Sequence, residues 1–165
     1  LDANHVVDHL SKAFCGEGQH LYVPAVVSHM QTKRTLMKED SIRQIMNAYD
    51  HLNVALVGIG TADNTSSAFR SGYYSDEMKQ QAIKDQVCGD ICMHLFDKEG
   101  RTDRFPYNKQ IVGVNLNKLK KVPYAIGIAS GVRKAEAIRG AIKGGYINVL
   151  VTDAQCGQAL TRLND

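Results

Sequence analysis

The residues most suited to chemistry gather in three glycine-bearing segments. Gly58-Ile59-Gly60-Thr61-Ala62-Asp63 follows an apolar run and sets two glycines beside a hydroxyl and a carboxylate. Glycine lets a backbone approach a ligand closely, so this is either a ligand-facing loop or a plain turn leaving a strand. It is not a dinucleotide fingerprint, because the third glycine of GxGxxG is missing. It is not a P-loop either, because no Gly-Lys-Ser/Thr follows. Ser130-Gly131-Val132-Arg133-Lys134 opens a helix directly after another apolar run. Unpaired amides and a partial positive charge gather at such a start and suit an anion. Lys134 opposes the helix dipole there, which an anion or a carboxylate partner would offset, although solvated lysines in first turns are common. In Cys88-Gly89-Asp90 the glycine allows a sharp entry to a strand, and the local pattern favours an Asp90 that closes its own turn.

Other groupings are weaker. Asp90, Cys92 and His94 alternate with apolar residues and would share one strand face, about 6.6 Å apart along it. Their types suit a transition metal, but one straight strand cannot wrap three ligands around an ion. The six histidines show no HExxH spacing, and His5 and His9 read as a solvated helix face. No GxSxG elbow occurs, and nothing pairs a serine or cysteine with a base. Lys118, Lys120 and Lys121 form a small solvated basic run. No metal or cofactor is expected from these patterns.

These segments must be positioned by the elements around them. Val6, Val7, Leu10 and Phe14 recur at helical spacing over 5–14. A short strand is expected at 20–24, and Ser41 opens a helix with Ile42, Ile45, Met46 and Tyr49 on one stripe. Residues 54–60 (VALVGIG) read as a strand buried on both faces. A polar loop follows over 61–73, and Ser75 caps a helix to about Lys84. DICMHLF, 90–96, alternates and reads as one strand with Ile91, Met93 and Leu95 on one side. Residues 97–100 form a turn, and 111–116 another strand. Buried strands at 124–129 and 147–153 flank a helix that ends at Gly144-Gly145, and a last short helix follows Ala154. Valine- and isoleucine-rich strands alternating with helices indicate an α/β fold whose parallel sheet is covered on both sides. In such sheets ligands collect beyond the carboxyl ends of the strands, where Gly58–Asp63 and Ser130–Lys134 belong.

Composition narrows the function classes. The chain has 165 residues, 44% hydrophobic and 22% charged, which fits one packed domain and argues against disorder. A net charge of +3 is too mild to imply nucleic-acid binding by itself. No apolar run approaches the roughly 20 residues of a membrane span. Four cysteines without a CxxC pair read as thiols of a reduced, cytoplasmic protein. The chain opens LDANHVVDHL, with no signal-peptide pattern and no Met, and reads as a fragment or trimmed chain.

Taken together, several segments carry a family resemblance. They are NVALVGIG (53–60), RSGYYS (70–75), GDICMHLFD (89–97), IVGVNLN (111–117), YAIGIASGVRKAEAI (124–138) and GGYINVLVTD (144–153), with YVPAVV at 22–27. In this order they resemble the C-terminal effector-binding domain of SorC/DeoR-type bacterial transcriptional regulators over nearly the whole chain. The resemblance implies a Rossmann-like, mostly parallel sheet with helices on both faces, similar to sugar-phosphate isomerases and deaminases. It implies an effector that is a phosphorylated sugar, and a helix-turn-helix domain elsewhere in the protein through which operator DNA is bound. A homo-oligomer is expected. It assigns the sugar-phosphate contacts to Asp90 and Lys134, reversing the local preference at both. On the reading of the residues themselves, the loop 58–63, with Gly58, Gly60 and Thr61, is expected to close against the ligand, with Ser130 and Gly131 at the helix start.

Two departures accompany the resemblance. The family's phosphate-cradling loop precedes everything present here, so the chain is expected to be the later part of such a domain. Ser130 stands where the family often has glycine, and it either narrows the pocket or adds a hydroxyl contact. Two rivals remain at this level. A carboxylate and a lysine in one pocket could serve a sugar-phosphate isomerase or deaminase as base and electrostatic stabiliser. The other rival is an assembly module with an inactive pocket.

Overall fold

A computed structural model of the chain describes residues 3–63 and 66–163. Helices α1 (Ala3–Ala13), α2 (Met30–Leu36) and α3 (Asp40–Ala48) precede the first strand. β1 (Val54–Gly58), β5 (Tyr124–Ile128) and β6 (Val149–Val151) form a parallel sheet in the order β1-β5-β6. β2 (Gly60–Thr61), β3 (Val87–Ile91) and β4 (His94–Asp97) form a second, antiparallel sheet in sequence order. Helices α4 (Ser67–Arg70) and α5 (Asp76–Lys84) lie between β2 and β3, and α6 (Leu116–Leu119) precedes β5. Helix α7 (Ala135–Lys143) joins β5 to β6 and packs on β3, β4 and α8 (Ala154–Arg162). The expected α/β class is the one observed.

Helix α7 can sit against the second sheet because its inward stripe is Ala135, Ala137, Ile138, Gly140 and Ala141, mostly small residues. Phe96 and Ile91 from the antiparallel sheet meet it, and Ala55, Val57 and Ala125 from the parallel sheet close the same core. A smaller core of Phe69, Tyr74, Ala82, Leu95 and Phe105 lies elsewhere in the fold. Ile91 and Phe96 belong to the first core and Leu95 to the second, so the antiparallel sheet separates them.

The sequence-based expectations fail at identifiable places. The apolar run 54–60 is not one strand: β1 ends at Gly58, and after Ile59, itself 1% exposed, the chain enters the other sheet at Gly60. DICMHLF is a hairpin, with Ile91 paired to His94 and Asp90 to Leu95. Its two-residue turn puts Cys92 (φ 49°) and Met93 (φ 67°) in the left-handed region, as a type I′ turn requires. Ile91 and Leu95 therefore face opposite cores rather than one side. Residues 20–24 are not a strand. Only an isolated bridge joins Val26 to Ile111, and the strand expected at 111–116 gives way to α6, capped by the Asn115 side chain. Helix α2 was not expected; it buries no residue and carries little apolar pattern. Finally, Val54, Leu56, Tyr124, Ile128, Val149 and Val151 are exposed, so the parallel strands bury one face among the described residues. An apolar run reports that both faces of a strand are apolar, not that both are covered.

The loop expected over 61–73 contains the short helix α4, and α3 opens at Asp40 rather than Ser41; two further helix boundaries match their patterns. Ser75 accepts a hydrogen bond from the Met78 amide and starts α5, as a serine N-cap should. Gly144 and Gly145 end α7, with Gly145 at φ 71°.

Candidate functional site

The carboxyl ends of β1 and β5, the start of β2 and the hairpin tip border one open cleft of about 890 Å³. Gly58, Gly60, Thr61, Asp90, Ser130, Gly131 and Lys134 all line it. The topology explains this meeting: β1 and β5 are adjacent and parallel, with Gly58 opposite Ile128, so their following loops emerge side by side. That is the end of a parallel sheet where ligands collect.

Asp90 is the unusual group in the cleft. It is only 7% exposed, and its Oδ1 has no hydrogen-bond partner. Burial pushes its carboxyl up to about 6, against the pull of the Lys134 charge and a backbone hydrogen bond at Met93. An ionised carboxylate so placed loses hydration that nothing on the protein fully replaces. Oδ1 packs over the bare Cα of Gly60, while Asp90 as a residue lines the cleft.

Lys134 stands at the N-cap of α7, after a short 3₁₀ turn over Val132–Lys134. Its Nζ donates to the Ile59 carbonyl at 2.8 Å, which ties the helix start to the crossing between the two sheets. The ammonium is partly exposed and borders the cleft. Gly131 adopts φ 96°, a conformation that side chains rarely accept, and its amide donates to Asp153 Oδ2. Asp153 also caps α8 through the Cys156 amide, so one carboxylate anchors both the glycine loop and the next helix. Hydrogen bonds from Cys156 and Gly131 hold the Asp153 carboxyl below the ordinary carboxylate range.

Cleft residues that sequence patterns did not single out include Ser66, Ser71 and Tyr73 from the polar loop and Met93 from the hairpin tip, while Cys92 figures only in the metal grouping. The loop has no periodicity to mark its inward residues. The hairpin lacks the Asn-Gly signature that usually announces a type I′ turn. The Tyr74 hydroxyl, donating to the Met93 carbonyl, holds that tip against the smaller core. Asp90, Cys92 and His94 do not form a metal centre: no cluster of three or more His, Cys, Asp or Glu side chains suited to a metal occurs among the described residues.

The family model described as "Putative sugar-binding domain" matches residues 1–162. The chain belongs to this sugar-binding domain family of SorC/DeoR-type transcriptional regulators. It is 34% identical over 150 residues to the deoxyribonucleoside regulator of Bacillus subtilis, covering 91% of this chain and 48% of that protein. It is 31% identical to the sorbitol operon regulator of Klebsiella pneumoniae, covering 84% of this chain and 44% of that protein. The crystal structure of the full-length Klebsiella pneumoniae sorbitol operon regulator SorC superposes with a TM-score of 0.87 at 29% identity, covering 97% of this chain and 51% of that one. A DeoR family transcriptional regulator from Listeria monocytogenes gives a TM-score of 0.90 at 27% identity, covering 97% and 65%. The chain thus spans about half the length of the curated relatives it matches. No helix among the described residues is long and apolar enough to cross a membrane.

Proposed function

We propose that the cleft is the effector site of a bacterial transcriptional regulator and that its effector is a phosphorylated sugar. The observation that carries this reading is the buried, unpartnered Oδ1 of Asp90 in a cleft that also holds Lys134. A carboxylate there accepts from sugar hydroxyls, and the lysine with the amides at the start of α7 meets a phosphate. Gly58, Gly60, Thr61, Ser130 and Gly131 bring backbone close to the ligand, and Ser130 adds a hydroxyl. The volume of about 890 Å³ lies within the usual range for small-molecule sites.

Ligand occupancy alters how this domain assembles with other copies of the chain. A separate helix-turn-helix domain reads operator DNA, and the protein works in the cytoplasm. We favour a sensor over a sugar-phosphate isomerase or deaminase because the relatives described above are named as regulators. The test is a thermal-shift panel of pentose and hexose phosphates against their unphosphorylated sugars. A ligand at a hundred times its Kd adds about 2.7 kcal/mol of stability. Stabilisation by at least one sugar phosphate and not by the parent sugar supports the reading. Turnover of a sugar phosphate would replace it with the enzyme.

A further inference from the structure

Gly60 and Asp90 face each other directly across β2 and β3. Directly opposed residues in an antiparallel pair project to the same side of the sheet. A Cβ on residue 60 would lie 2.0 Å from Asp90 Oδ1 and 3.1 Å from its Cγ, with no other residue's atoms among its nearest contacts. The carboxylate is therefore folded over the bare Cα of Gly60. Gly60 is not in the left-handed region, so backbone conformation does not account for glycine here.

We infer that Gly60 is a positioning residue for Asp90: its missing side chain is the seat into which Oδ1 packs, and this fixes the orientation in which the carboxylate is held in the cleft wall. This rests on the reading of the cleft as an effector site, and it assigns Gly60 a task beyond allowing close backbone approach. The atom in the way is the end of a short side chain, not backbone. Alanine at 60 can be accommodated by rotation of Asp90, so the sheet survives while the acceptor is re-aimed. The groups that face the carboxyl are the Lys134 ammonium, the Tyr74 hydroxyl, the Cys92 thiol and the Met93 backbone. Rotation about the Asp90 side chain changes its distance to each of them.

The test uses Gly60→Ala, Asp90→Ala and the double variant. In the first arm, NMR of carboxyl-labelled aspartate follows the Asp90 titration with no ligand present. Gly60→Ala is expected to move its midpoint by half a pH unit or more, and an unchanged midpoint overturns the proposal. In the second arm, calorimetry uses whichever of ribose 5-phosphate, glucose 6-phosphate or fructose 6-phosphate binds the natural chain. Gly60→Ala is expected to weaken binding about ten- to a hundredfold, the range for losing a hydrogen bond to a charged group. The same change in the Asp90→Ala background should cost less than twofold, and equal losses in both backgrounds overturn the coupling. If none of these sugar phosphates binds the natural chain, the effector reading falls and the titration arm alone decides the role of Gly60. If Gly60→Ala fails to fold, rescue by Asp90→Ala supports the steric seat and failure to rescue overturns it.

Discussion

Asp90→Asn should make the protein more stable at neutral pH while weakening its ligand site. Burial raises the Asp90 carboxyl from 3.8 to about 6 in the folded chain. At about 1.4 kcal/mol per pH unit, that rise corresponds to roughly 3 kcal/mol. The sign follows from proton counting. Below 3.8 both folded and unfolded chains hold the proton, and ionisation costs nothing. Between 3.8 and about 6 the folded chain keeps a proton that the unfolded chain releases, so stability falls as pH rises. Above 6 the buried site carries the full burden of an ionised carboxylate. Asparagine does not titrate, so the variant should gain on the natural chain from pH 4 to 6 and hold a constant advantage of about 3 kcal/mol beyond. Urea unfolding followed by circular dichroism at pH 4, 5, 6 and 7 measures the gap. An asparagine amide without an acceptor would displace the whole curve without changing its slope, so the pH dependence decides. A gap that stays flat from pH 4 to 7 would refute the argument. At neutral pH the variant should also bind sugar phosphates about tenfold more weakly, since a charge-assisted acceptor has become a neutral one.

The other expectations are simpler. Lys134→Ala should weaken sugar-phosphate binding about ten- to a hundredfold by calorimetry; an unchanged affinity would return this lysine to a structural tie on the Ile59 carbonyl. Gly131→Ala places a side chain at φ 96° and should cost about 1–3 kcal/mol in thermal or urea unfolding, with full stability speaking against strain at the cleft rim. Asp97 is 2% exposed and accepts from the Glu99 amide and from both backbone and side chain of Arg101. Burial pushes its carboxyl up, but the Arg101 and Glu99 hydrogen bonds outweigh this and leave it below the ordinary range. Its contribution is therefore present above pH 4 and lost as pH falls below that. Asp97→Asn should cost about 1.5–3 kcal/mol at pH 7, towards the lower end because Arg101 is half exposed and water screens it. The difference should shrink in acid, and a loss that does not vary with pH would contradict it.

Much of this fold is legible from local pattern. The existence of strands at β1, β5 and β6, the helix after Ser130-Gly131 and its stop at Gly144-Gly145 each follow from short-range physics: chain stiffness, periodicity and glycine; the burial of both strand faces does not. The pairing of Asp90 with Lys134 comes from the family resemblance alone, against the local pattern at both residues, and both line the cleft. What local pattern does not carry is the partner of each strand. The run 54–60 looks uniform, yet Ile59 divides two sheets because β5 pairs up to Gly58 and β3 takes Gly60 and Thr61. DICMHLF alternates equally well as one strand or as a hairpin. Only packing between two separate cores turns it back at Cys92-Met93, with the Tyr74 hydroxyl holding the tip. Asp90 illustrates the division most sharply. Its identity and its place beside a glycine are sequence facts. The opposed Gly60, the absent partner on Oδ1 and the raised carboxyl exist only once two distant segments lie side by side, because burial and desolvation belong to the assembled fold.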